Sequence, residues 1–219
     1  FFVLQSARSL DETNAYPQVG PLVLTEVHYH PVDDGTNANT RDEFVELLNN
    51  DAAPLSLSDP LFPTNRWRLD GAVRYTFPTG TLLAAQGRIL VVGFDPLTNA
   101  ALLGLFRTSL AVPTNAIVLG PWTGVLDNAG ERITLLQPDP PNSNEVPYVV
   151  RETVTYAPTN PWPAQANGAG ASLQRINAAA FGDDPINWYP ATPTPGVASD
   201  VHADADGDGA SDWEEWLGG

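Results

Sequence analysis

Apolar runs in this chain are short, and proline, glycine or an Asn/Asp cluster closes one after another. Leu22–Tyr29 stops ahead of Pro31, Phe44–Leu48 stops at Asn49-Asn50-Asp51, and Arg88–Val92 stops at Gly93. With 18 Gly and 21 Pro a long helix cannot propagate, because proline removes a helix donor and glycine costs about 1 kcal/mol per helical position. Runs rich in Val, Leu and Thr between such breaks predict an all-β sandwich or barrel. A chain of 219 residues, 42% of them hydrophobic, suffices for one substantial domain with appendages.

The stretch Asp42-Glu43-Phe44-Val45-Glu46-Leu47-Leu48-Asn49-Asn50 followed by Ala53-Pro54-Leu55-Ser56 predicts a half-buried strand, a polar turn, and a second short strand starting near Leu55. In Leu22–His30, strict alternation places Val23, Val27 and Tyr29 on one face, with Leu24, Glu26, His28 and His30 on the other. Asp70-Gly71 between two alternating runs predicts a hairpin. Arg88–Gly93 is the most apolar run and is expected to be central. Helical character is confined to residues 98–106. Further strands are expected at 117–119, 132–136 and 146–156, with Ser172–Arg175 as the last short one. From 190 onward Pro, Thr, Ala and Ser dominate and read as a linker. The expected division is an N-terminal extension over 1–20, a core domain over 21–190, a linker over 191–203 and a tail over 204–219.

Charge narrows the partners. Ten Arg and no Lys stand against 26 Asp+Glu, a net charge of −16. Such a surface repels phosphate backbones and anionic membranes and attracts cations. No Cys is present, so disulfides and thiolate metal sites are excluded. No apolar run approaches the length of a membrane span, and Phe1–Leu4 is too short for the apolar core of a secretion signal. A piece of a longer product is the expectation.

Several motifs in one order resemble the lamin-tail domain, an immunoglobulin-like β-sandwich found in nuclear lamins and in many bacterial secreted proteins. They are Leu24-Thr25-Glu26-Val27-His28-Tyr29-His30-Pro31, Asp42-Glu43-Phe44-Val45-Glu46-Leu47, Trp67-Arg68-Leu69 and Tyr75–Leu82. Gly87–Val92, Gly120-Pro121-Trp122-Thr123-Gly124, Leu126–Glu131, Gly168–Arg175 and Thr194-Pro195-Gly196 complete the series. The resemblance spans roughly 21–197 and implies an immunoglobulin-like sandwich with a non-catalytic role; the fold alone leaves the function loose.

The chemistry lies further on. Asp204-Ala205-Asp206-Gly207-Asp208-Gly209-Ala210-Ser211-Asp212-Trp213-Glu214-Glu215 matches the twelve-residue calcium loop position by position. Asp204, Asp206 and Asp208 fall at positions 1, 3 and 5, with Gly209 at the sharp bend. Ala210 supplies a carbonyl at 7, Asp212 stands at 9, and Glu215 closes the shell at 12. Pro193, Pro195 and Gly196 argue against an entering helix, so the loop resembles thrombospondin type 3-like and dockerin-like calcium segments rather than a full EF-hand. Extracellular loops of this class bind Ca2+ at roughly 10⁻⁴–10⁻³ M, which points to an extracellular or cell-surface location.

Other candidates are weaker. Glu26, His28 and His30 share a strand face that could hold Zn2+, but ordinary outer-face residues of a strand are the favoured reading. Glu26 and Glu46 on neighbouring strands suggest salt bridges with Arg68 or Arg74. No serine elbow or phosphate-cradling glycine loop is present. Trp67, Trp122, Trp162, Trp188, Tyr75 and Tyr189 could form a sugar-binding platform. The expected function is therefore a non-catalytic structural, adhesion or assembly module stiffened by Ca2+, whose partners would be copies of itself or other cell-surface proteins. Residues 1–12 could add a strand to a neighbour's sheet edge. The alternative is a carbohydrate-binding accessory module that takes glycans.

Overall fold

The computed structural model describes residues 18–142, 145–199 and 216. The predicted calcium ligands, Asp204 to Glu215, and residues 1–12 lie outside the described residues. In chain order the elements are β1 (Leu22–His28), β2 (Phe44–Asn49), β3 (Leu55–Ser56), β4 (Arg68–Gly71), β5 (Val73–Thr76), β6 (Leu82–Leu83) and β7 (Arg88–Val92). Then come α1 (Ala100–Ser109), β8 (Ile117–Leu119), β9 (Thr123–Gly124), β10 (Arg132–Pro138), β11 (Tyr148–Thr155), β12 (Ser172–Arg175) and β13 (Trp188–Ala191). The described chain is all-β with one short α-helix and two 3-10 turns.

A six-stranded sheet runs β13-β12-β1-β2-β7-β8, and a five-stranded sheet runs β11-β10-β4-β5-β9. β3 and β6 form a small separate pair. One apolar core joins the two larger sheets, with Leu22, Leu24, Val27, Val45 and Leu47 from one and Leu69, Val73, Ile133, Leu135 and Val154 from the other. A second cluster lies on the opposite face of the six-stranded sheet. There Phe44, Leu90 and Val92 pack against Phe94, Phe106 and Val112, so α1 covers this part of the sheet. Asn99 caps the helix by accepting from the Leu102 amide at 3.1 Å, which sets the start at 100 and shifts the helix from 98–106 to 100–109.

Alternation fails once, with consequences for every residue after it. β1 and β2 pair Leu24 with Leu47 but then Glu26 with Glu46, leaving Thr25 as an extra residue in a β-bulge. The bulge exchanges the faces. Leu24 therefore joins Val27 and Tyr29 in the core, and Val23 falls on the outer face with Glu26 and His28. The expected grouping of Leu24 with Glu26 is corrected on this ground.

Two other expectations shift. β7 lies one strand in from the β8 edge rather than at the sheet centre, which β1 and β2 occupy. Its continuous apolarity reflects cover on both faces, with Ile89 and Val91 in the shared core and Leu90 and Val92 against the helix layer. The β4–β5 hairpin forms, but its last pair is Leu69 with Tyr75, so its loop is wider than Asp70-Gly71. Gly71 instead pairs with Ile133 of β10. It does so at φ +95°, where a Cβ would stand 2.3 Å from the Arg132 carbonyl oxygen.

After β12 the chain adds β13, an edge strand that ends with Pro190 and Ala191; proline is tolerated there because an edge donor need not join the ladder. Residues 192–197, whose composition reads as linker, then run across the outer face of the six-stranded sheet.

Candidate functional site

Where the helix layer ends, the outer face of the six-stranded sheet carries a buried polar layer. Glu26 and Glu46 oppose each other directly across β1 and β2, exposed by only 1% and 2%. Glu26 Oε1 accepts from Ser172 Oγ at 2.5 Å, the Thr194 amide at 3.0 Å and Gln174 Nε2 at 3.4 Å. Glu46 accepts from Thr25 Oγ1 at 2.6 Å and from the Gly196 amide at 2.8 Å. Gln174 also donates to the Thr192 carbonyl at 2.7 Å and accepts from the Tyr189 hydroxyl at 3.3 Å. The segment 192–197 is thus held to the sheet through side chains of β1, β2 and β12.

The cation beside this layer is Arg88, whose Nε lies 3.7 Å from Glu46 Oε1. The expected partners Arg68 and Arg74 belong to the other sheet. There Arg74 Nε donates to Asp70 Oδ1 at 3.1 Å, and the Arg68 guanidinium stacks 3.8 Å from the Tyr148 ring centroid. Burial, followed by the Glu46 charge, pushes the Glu26 carboxyl up to about 8, and the hydrogen bonds from Ser172 and Thr194 only partly oppose this. Glu46 is raised as well, mainly by burial. Two buried carboxyls with one arginine suit a pair that holds one proton.

Glu26, His28 and His30 go to three separate environments. His28 donates from Nδ1 to the Asp42 carbonyl at 3.0 Å and packs edge-on against Phe44; burial lowers its pKa to about 4 and keeps it neutral. His30 Nδ1 lies 2.6 Å from Asn167 Oδ1. Among the described residues no group of three or more His, Cys, Asp or Glu is placed to hold a metal. The six aromatic residues do not form a platform. Trp67, Trp122, Trp162, Trp188 and Tyr189 are buried, and Tyr75 packs edge-on against Phe77.

A further buried pair escaped the sequence reading. Arg175 Nη1 donates to Glu152 Oε1 at 2.6 Å and to the Leu24 carbonyl at 2.7 Å, while the Leu24 amide donates to Glu152 Oε2 at 2.5 Å. β12 meets β1 only at Glu26 and Val27, so these side chains take the place of ladder bonds at Leu24. The available signal was Glu152 within the otherwise strand-forming run Val149–Val154. Its partner's identity depends on the packing of two sheets, which spacing does not encode. Asn49 works similarly, donating to the carbonyls of Ala53, Leu83 and Ala84. The buried polar side chains described here hold backbone segments in place.

No family model, curated protein or solved structure matches the chain. No helix among the described residues is long and apolar enough to cross a membrane.

Proposed function

We propose that this chain is a non-catalytic extracellular module, a lamin-tail-like immunoglobulin-type β-sandwich followed by a calcium-binding loop, serving as a structural, adhesion or assembly part. The observation that carries the reading is the acidic pattern Asp204–Glu215, whose residue types and spacing meet each requirement of a calcium loop. Two sheets around one core support the sandwich. The use of buried Glu, Arg, Asn and Gln to fix backbone, rather than to line a reactive cleft, supports the non-catalytic role. Asp204, Asp206, Asp208, Asp212 and Glu215 would bind Ca2+ through carboxylates and Ala210 through its carbonyl; the ion would stiffen the tail and fix its direction. Glycan binding would need a surface other than the buried rings.

Calorimetric titration tests the calcium site. One Ca2+ per chain is expected at roughly 10⁻⁴–10⁻³ M, lost in Asp208→Ala and Glu215→Ala. Unchanged uptake in both variants overturns the assignment. For assembly, deletion of residues 1–12 should reduce the oligomer if that segment adds a strand to a neighbour.

A further inference from the structure

Segment 192–197 carries no charged side chain, yet it closes over two carboxyls. It does so with backbone groups, the Thr194 and Gly196 amides donating to Glu26 and Glu46 and the Thr192 carbonyl accepting from Gln174. Beneath it, Glu26 Oε2 is buried without a hydrogen-bond partner among the described residues, and so is Thr194 Oγ1. An ionised carboxylate with one oxygen accepting nothing is costly to bury. A neutral Glu26, though its own O–H also lacks a partner there, costs less, because a charge is costlier to bury than a neutral polar group. Like charges directly opposite across a strand pair repel, and Arg88 sits against Glu46 rather than Glu26.

The charged and titratable groups around the pair are few. β1 contributes His28, held neutral on the same face; β7 contributes Arg88, β13 contributes Tyr189, and β12 contributes the uncharged Ser172 and Gln174. A cleft of about 620 Å3, lined in part by Arg88, Leu90, Ala116, Gly196 and Val197, runs beside the segment.

We infer that residues 192–197 form a strap whose closure over the sheet is governed by the proton on Glu26, which faces Glu46 across β1 and β2. With the proton in place, the strap is closed. Loss of the proton leaves two buried anions beside one arginine, and lifting the strap solvates them. Two amide hydrogen bonds favour the anion and oppose release, but burial and the facing Glu46 outweigh them at Glu26. The lifted state ionises like an ordinary glutamic acid, so release grows as pH rises from about 4.5 towards 8 and levels off above.

Hydrogen exchange of the whole chain, followed by mass spectrometry at pH 5 to 9 and corrected for intrinsic rates, tests this. Protection of the 192–197 peptide should fall by roughly three- to tenfold per pH unit between 5 and 8, the upper figure being full coupling to one proton. Protection of the β2 peptide, which reports global unfolding, should stay well above that of the strap at every pH. Glu26→Gln, which keeps the acceptor and removes the charge, should leave strap protection flat with pH. Strap protection independent of pH in the unmodified chain overturns the inference. So does a strap as well protected as the β2 peptide at every pH, which would mean that it opens only by global unfolding. Both overturning results are read on the unmodified chain, so the test stands even where Glu26→Gln fails to fold.

Discussion

Arg175 Nη1 lies 2.6 Å from Glu152 Oε1, joining β12 of the six-stranded sheet to β11 of the five-stranded one. The side chains are 0% and 5% exposed. The guanidinium also donates to the carbonyls of Leu24, Asn177 and Ala180. Burial raises the Glu152 carboxyl, while Arg175 and the Leu24 amide pull it back. A pair of this kind gains little over an apolar pair of similar volume, but losing one partner strands a buried charge. Arg175→Met should therefore destabilise the domain by about 3–5 kcal/mol. Adding Glu152→Leu should recover part of that loss, because the uncompensated carboxylate goes with it. Urea denaturation of both variants measures this, and a double variant less stable than the single one would contradict it.

Stability should decline as pH rises above neutrality. Burial pushes Glu43 up to about 8, as burial and Glu46 do for Glu26. A carboxyl raised in the folded state stabilises below its unfolded pKa of 4.5, and that contribution disappears as pH climbs from there to about 8. His28, lowered to about 4 by burial, works the other way. Its contribution is complete above 6.5 and fades below, so it offsets part of the glutamate effect at acid pH only. Between pH 6.5 and 8 the two glutamates act unopposed, and unfolding free energy should drop by on the order of 2–4 kcal/mol. Urea midpoints at fixed Ca2+ read this directly. Glu43→Gln, which keeps an acceptor for the Leu126 amide, should flatten the slope by about half. A midpoint that rises across this window would refute the argument.

The sheet class, the short helix and most strand positions were legible because they rest on local pattern. Short β-branched runs between Gly and Pro leave few alternatives, and Asn99 marks the helix start. What was not legible depends on non-local geometry. Nothing in Leu24-Thr25-Glu26 announces a bulge, and one extra residue moved Leu24 into the core. Arg88 rather than Arg68 or Arg74 faces Glu46 because β7, and not β4 or β5, pairs with β2. Thr192–Val197 resembles a linker by composition, since its hydrogen bonds come from side chains of distant strands. The aromatic residues suggested a platform because composition does not distinguish a buried ring from an exposed one.

The bulge at Thr25 should be indispensable. Deleting Thr25 would restore unbroken pairing of β1 with β2 and turn every residue before it to the opposite face. Leu24 and Leu22 would leave the core, or Glu26 and His28 would enter it. Either outcome costs far more than the loss of the Thr25–Glu46 hydrogen bond. Thr25→Ala, which removes that bond alone, should cost about 1–2 kcal/mol. The deletion should give no cooperative thermal transition, whereas Thr25→Ala keeps one. A deletion variant that folds like Thr25→Ala would mean that the bulge is dispensable.

Gly196 fixes how closely the strap approaches the sheet. Its φ is +86°, and a Cβ there would stand 2.8 Å from the Ala116 Cβ, so Gly196→Ala meets both backbone strain and a clash with a side chain that has no rotamer to yield. The amide of this residue donates to Glu46 Oε2, so displacement of the backbone also breaks a bond to a buried carboxyl. The strain alone is worth about 1 kcal/mol or more. Because the strap packs on the outer face of the sheet and outside the core shared by the two sheets, the effect should be concentrated there. Exchange of the 192–197 amides should accelerate at least several-fold at pH 5, where the strap is otherwise closed, while the urea midpoint shifts modestly. Ala116→Gly added to Gly196→Ala removes the clash but not the left-handed strain, and should restore part of the protection. Failure of the double variant to regain any would assign the whole effect to the backbone conformation of residue 196.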